Sequence, residues 1–107
     1  EALSHGKHRL LELAMALAAN PSVLLLDEPA AGLGVEETQN LISILERIKA
    51  DAAILLVEHD MDVVFSVANE ITVMVDGGII ATGRPDDIRT NQQAQRAYLG
   101  EPGPGDA

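Results

Sequence analysis

Cysteine and tryptophan are absent from this sequence, and its aromatic side chains amount to one Phe and one Tyr. Without Cys there are no disulfides and no thiol chemistry, a composition compatible with a reducing compartment. With so few rings the core must be built from Leu, Ile, Val and Ala. Phe65 and Tyr98 therefore read as packing residues, not as a platform for stacking bases. Basic residues are scarce as well: 7 Lys and Arg stand against 17 Asp and Glu, a formal net charge of −10. Such a chain lacks the basic face of a phosphate-backbone binder, so no nucleic-acid partner is expected. No apolar run reaches the roughly 18 residues needed to span a bilayer, and no charged-then-apolar leader is visible.

What is present is globular in character. Apolar residues make up 47% of the 107 positions. At this length the chain is at most one domain, able to bury roughly 65% of its unfolded surface. Residues 4–19 read as a helix, with Ser4 as N-cap and Leu10, Leu13, Ala14 and Leu17 spaced i, i+3, i+4, i+7 before the Asn20-Pro21 stop. Val23 to Leu26 is a continuous apolar run, the signature of a parallel strand covered on both faces. Residues 35–50 return to a helical stripe (Leu41, Ile44, Leu45, Ile48). Its acids Glu36 and Glu37 lie in the first turn and its bases Arg47 and Lys49 in the last, the order the helix dipole favours.

A second buried strand, AILLV at 53–57, completes a strand–helix–strand unit. A short helix is expected from Met61 to Ala68. ITVMV and IIATG then flank Asp76-Gly77-Gly78, a strong hairpin signal. One or two short helices follow over 85–99, the first opening at Pro85 and the last closing at Tyr98-Leu99-Gly100. The tail EPGPGDA, 101–107, reads as disordered. There is no internal repeat and no linker.

The chemistry concentrates where the two predicted strands end. VLLL runs directly into Asp27 and Glu28, and AILLV into Glu58, His59 and Asp60. Ligands of open α/β sheets sit outside the carboxyl ends of parallel strands. If the strands are neighbours, acids and an imidazole meet on one rim. A carboxylate after an apolar strand suits a nucleotide's Mg²⁺, and a second can orient a water. An isolated apolar-Asp-Glu pair would more simply end a strand, with Pro29 as breaker.

LSHGKHR at 3–9, VLLLDEP at 23–29, AAGL at 30–33 and VEHD at 57–60 occur in the order and spacing of an ABC-type ATPase. They resemble its signature motif, Walker B strand, D-loop and switch histidine. The resemblance implies an α/β fold, a partial P-loop NTPase with parallel strands, flanking helices, a C-terminal hairpin and short C-terminal helices. It extends over residues 1–100. AAGLG, VEHDMDVV and ATGRPDDIRTNQQAQRAYLG further resemble the ATP-binding subunits of branched-chain amino acid importers. The related lipopolysaccharide-export ATPases have a similar ending, and a non-catalytic ATPase-like interaction module is a third reading.

The resemblance implies roles. Asp27 would hold Mg²⁺, and Glu28 would be the general base or water-orienting group. His59 would contact the γ-phosphate of ATP. Ser4, His5, Gly6 and Lys7 would present a helix N-terminus to the ATP held by a second ATP-binding subunit, identical or merely related. Ala30, Ala31, Gly32 and Leu33 would lie along that interface. Transmembrane permease subunits would be further partners, so the subunit would lie in the cytoplasm against the inner face of the cell membrane.

Two departures stand out. His5 and Lys7 replace the usual first Gly and the Gln of the signature, and Gly32 and Gly34 flank Leu33 where the D-loop commonly has an Asp. Lys7 either adds charge toward phosphate or is simply solvated. His5 and His8 have metal-ligand spacing on a helix, yet no third ligand lies near in sequence. No G-x-x-x-x-G-K-[ST] phosphate loop occurs, and no glutamine loop. The chain is thus expected to be the C-terminal part of a longer subunit, inactive alone and prone to self-associate through unpaired strand edges.

Overall fold

A computed structural model of the chain describes residues 5–100, which divide into two compact units, one ending at Val67 and the other beginning at Ala68. Ser4 and the tail after Gly100 lie outside the described residues.

The first unit is ordered by its apolar spacing. Helix α1 spans His5–Ala18, strand β1 Val23–Asp27, helix α2 Val35–Ile48, strand β2 Ala53–Val57 and helix α3 Met61–Val67. These bounds fall within two residues of the sequence expectation at every end. β1 and β2 pair in parallel and in register, from Val23 opposite Ala53 to Asp27 opposite Val57. Leu24 of β1 joins Leu13 of α1, Leu41 and Leu45 of α2, and Val63 and Val67 of α3 in one buried cluster, with Leu26, Ile54 and Leu56 packed against it. Lys49, just past α2, donates from Nζ to the Val67 carbonyl at 3.1 Å and ties the end of α2 to α3.

The expectation of a strand covered on both faces is not met. Burial alternates along both strands, and the second face of the pair is bare: Val23, Leu25, Leu55 and Val57 are 60, 70, 61 and 55% exposed. The physical reason is that among the described residues the helices of this unit pack on one side only. Among the described residues each strand also pairs with one other strand, which leaves its second edge without a strand partner. A bare apolar face with two open edges recruits other chains. Dynamic light scattering of the isolated chain is expected to show dimers or larger species whose proportion grows with concentration; a monodisperse monomer at high concentration would contradict this.

The second unit is a hairpin with two short helices. β3 (Ile71–Val75) and β4 (Gly78–Gly83) pair antiparallel, with an irregularity at Val73/Met74. Asp76 and Gly77, at φ 49° and 81°, make the tight turn with both central residues left-handed that such hairpins favour. α4 (Pro85–Arg89) and α5 (Gln92–Leu99) follow. Asn91 caps α5, accepting from the Ala94 N–H at 2.9 Å, and Gly100 at φ 65° closes it. Ile88 and Ala94 are buried within this unit.

Candidate active site

The in-register pairing of β1 and β2 brings the residues that follow them to one rim of the first unit. There the His59 imidazole meets the Glu28 carboxylate, Nε2 to Oε1 at 2.7 Å. Both groups keep contact with solvent, His59 the more so. The adjacency that the strand-end argument requires is therefore present. Glu28 itself sits at φ +48°, a left-handed backbone unusual for a residue with a side chain. Its N–H donates to the Val57 carbonyl at 2.7 Å, and its carbonyl accepts from the Ala31 N–H and from Arg9 Nη2, both at 3.1 Å.

Glu58 fixes the same rim from the other strand. One carboxylate oxygen accepts from the Ala30 N–H at 3.0 Å, and the other accepts from the N–H groups of His59 and Asp60 at 3.0 and 3.3 Å. A single side chain thereby stitches the loop after β1 to the loop after β2. Asp60 in turn caps α3, accepting from the Asp62 N–H at 3.1 Å. Sequence reasoning missed Arg9 as part of the site, and it placed Glu58 among the rim acids without its bracing role. Both act on backbone atoms, and a charge placed to hold a loop has no signature spacing.

Asp27 stands one residue before Glu28. It is exposed, and among the described residues no side chain pairs with it. It lines a cavity of about 230 Å³ together with Arg9, Glu12, Leu26, Pro29 and Leu41, among others. A free carboxylate at a strand end fits the oxygen-ligand preference of Mg²⁺. Glu28, Glu58 and His59 also bring potential ligand atoms within 4.8 Å of one another. In that set the Glu58 oxygens already accept three N–H groups, and the Glu28 and His59 side chains bond each other.

The start of α1 meets the loop after β1. His5 Nε2 lies 2.8 Å from the Ala31 carbonyl, so this nitrogen is the donor. The ring covers Gly32, where φ is +77° and an added Cβ would lie 2.8 Å from the imidazole; the loop needs glycine for both reasons. Gly6 is buried, with the Glu37 carboxylate lying where its Cβ would be. Glu37 also accepts from the Gly34 N–H at 3.2 Å, which closes the first turn of α2. Lys7 and Gly32 are exposed and Ala31 is half-buried, whereas Ala30 is part of the core and Leu33 packs against it. The loop residues thus split between a core-facing pair and an outward-facing pair. His8 faces Glu12 at 3.9 Å, one turn along α1.

A parallel pair whose carboxyl ends bring Asp27, Glu28 and His59 to one rim, preceded by a helix that begins at His5, is the arrangement that the resemblance to an ATP-binding cassette implies. Residues 1–31 match the ABC transporter family, and residues 79–103 match the branched-chain amino acid ATP-binding cassette transporter family. The chain belongs to the ABC transporter ATP-binding family. It is similar to the high-affinity branched-chain amino acid transport ATP-binding protein BraF of Pseudomonas aeruginosa, at 41% identity over 101 residues, covering 92% of this chain and 40% of that protein. The lipopolysaccharide export system ATP-binding protein LptB of Haemophilus influenzae is 36% identical over 102 residues, covering 94% of this chain and 42% of LptB. The crystal structure of the ADP conformation of MJ1267, an ATP-binding cassette of an ABC transporter, superposes with a TM-score of 0.77 at 31% identity, over 92% of this chain and 41% of that one. The chain thus spans about 40% of the length of the curated relatives it matches. Among the described residues no helix is long and apolar enough to cross a membrane.

Proposed function

We propose that the chain supplies the hydrolytic half of an ATP-binding subunit that drives branched-chain amino acid uptake. One observation carries the reading: the Glu28 carboxylate and the His59 imidazole, delivered by two different strands, meet at 2.7 Å. A carboxylate oriented by an imidazole is equipped to align a water for attack on a γ-phosphate and to accept its proton. Asp27 would hold Mg²⁺, whose charge offsets that of the triphosphate. The N-terminus of α1, with His5, Gly6 and Lys7, would face the ATP of a second subunit together with Ser4, the residue before them in sequence, and the outward-facing Ala31 and Gly32 would border it. For that, the His5 hydrogen bond to Ala31 would have to yield or to form part of the joined surface. Permease subunits in the membrane would be the partners that turn hydrolysis into transport, with this subunit on the cytoplasmic side. The match over residues 79–103 supports amino-acid uptake over lipopolysaccharide export.

The test joins the chain behind the phosphate-loop half of BraF. The chimera is expected to hydrolyse MgATP, and the 107-residue chain alone to be inert. Turnover by the isolated chain that disappears with Glu28→Gln would refute the second expectation. A chimera that folds and binds ATP yet never hydrolyses it would refute the first.

A further inference from the structure

The left-handed turn at Glu28 is held by an element distant in sequence. A side chain at φ +48° is strained, and such strain persists where the surroundings over-determine it. The N–H side is secured by Val57 and the carbonyl side by the local turn to Ala31. The remaining bond comes from the guanidinium of Arg9 on α1, which donates to the Glu28 carbonyl at 3.1 Å. That guanidinium is partly withdrawn from water, and its Nε is buried without a hydrogen-bond partner. Leaving a charged donor unsatisfied is unfavourable, so stability alone is a poor reason to place an arginine there.

We propose that Arg9 is a positioning residue, whose bond to the Glu28 carbonyl keeps the left-handed turn that aims the Glu28 carboxylate at His59. The proposal rests on the reading of Glu28 as the water-activating group. Arg9 also lines the cavity that Asp27 borders, so its positive charge lies on the same rim as the paired acids. A lysine in its place would be a single-pronged, strongly hydrated point charge and a poorer brace.

Hydrogen exchange by mass spectrometry on the dilute chain tests this, comparing peptides over residues 27–33 with peptides over residues 41–48. Arg9→Ala is expected to speed exchange at the Glu28 and Ala31 amides about tenfold or more while the α2 peptide is unchanged. Arg9→Lys is expected to fall between, and it carries the test if Arg9→Ala fails to fold. In a Glu28→Gly background the same Arg9 substitution should alter the Ala31 amide by less than about threefold, because glycine adopts the turn unaided. Unchanged exchange in the first peptide, equal acceleration in both peptides, or an undiminished effect in the Glu28→Gly background would each overturn the proposal. In the hydrolysing chimera, Arg9→Ala should lower kcat about tenfold, the size of a modest misplacement of a catalytic group, with KM for MgATP nearly unchanged. A chimera inert with Arg9 intact would count against the nucleotide reading, while the exchange data would still judge the brace.

Discussion

Replacing Glu28 by Gln is expected to abolish ATP turnover in the chimera, with kcat falling by roughly 10²–10⁴-fold. The amide matches the carboxylate in shape and can still meet His59, so the 2.7 Å approach need not be lost. What disappears is the ability to accept a proton from the attacking water. Binding should therefore survive: ATP affinity is expected to stay within about threefold, since the phosphate loop supplies most of the ground-state grip. His59→Ala should reach a comparable loss by another route, leaving the base charged but unoriented. The double variant should be little worse than either single one, because groups that act as a unit do not add. Steady-state kinetics beside equilibrium nucleotide binding checks all of this. Retention of more than about a tenth of the activity by Glu28→Gln would remove that side chain from the chemistry.

Leu45→Ala is expected to leave most of the first unit unfolded. Leu45 is 0% exposed and stands in the cluster with Leu13, Leu24, Leu41, Val63 and Val67. Truncating a leucine in such a site costs about 2–5 kcal/mol, from lost transfer energy plus the cavity left behind. Whole domains hold a net stability of only about 5–15 kcal/mol. A unit whose two-stranded sheet is covered on one face should lie at or below the lower end of that range, so the loss consumes most of what there is. Circular dichroism across a urea titration should show a midpoint shifted to much lower urea, or no folded baseline. Leu25→Ala provides the contrast: at 70% exposed, its side chain leaves no cavity when removed. A midpoint shift for Leu45→Ala no larger than that for Leu25→Ala would mean that this cluster does not hold the unit together.

The parts of this fold that the sequence announced are those whose cause is local. Asp76-Gly77 makes a tight turn because its own backbone allows φ above zero at both positions. The helical stripe of 35–50 folds as read because its apolar side chains lie on one face. The pairing of Glu28 with His59 was legible from a rule about strand ends, although it joins residues far apart. What the sequence concealed depends on elements elsewhere. VLLL cannot reveal that Leu24 is buried while Leu25 lies open, because coverage is decided by which helices pack where. Nor can Arg9 announce its bond to the Glu28 carbonyl, since that bond exists only once Glu28 has turned left-handed. The bond from Ala30 to Glu58 was hidden for the same reason.

The ladder that sets Asp27 opposite Val57 has a consequence for quality control. Sliding one ribbon past the other by a single residue would carry the imidazole about 3.3 Å along the strand direction and turn alternate side chains to the wrong side. Such an isomer would turn Leu24 and Leu26 away from Leu41 and Leu45, so the ladder that carries the core is the same one that sets the distance between the imidazole and the carboxylate. A misthreaded molecule would lose both together, and a urea titration would reveal it.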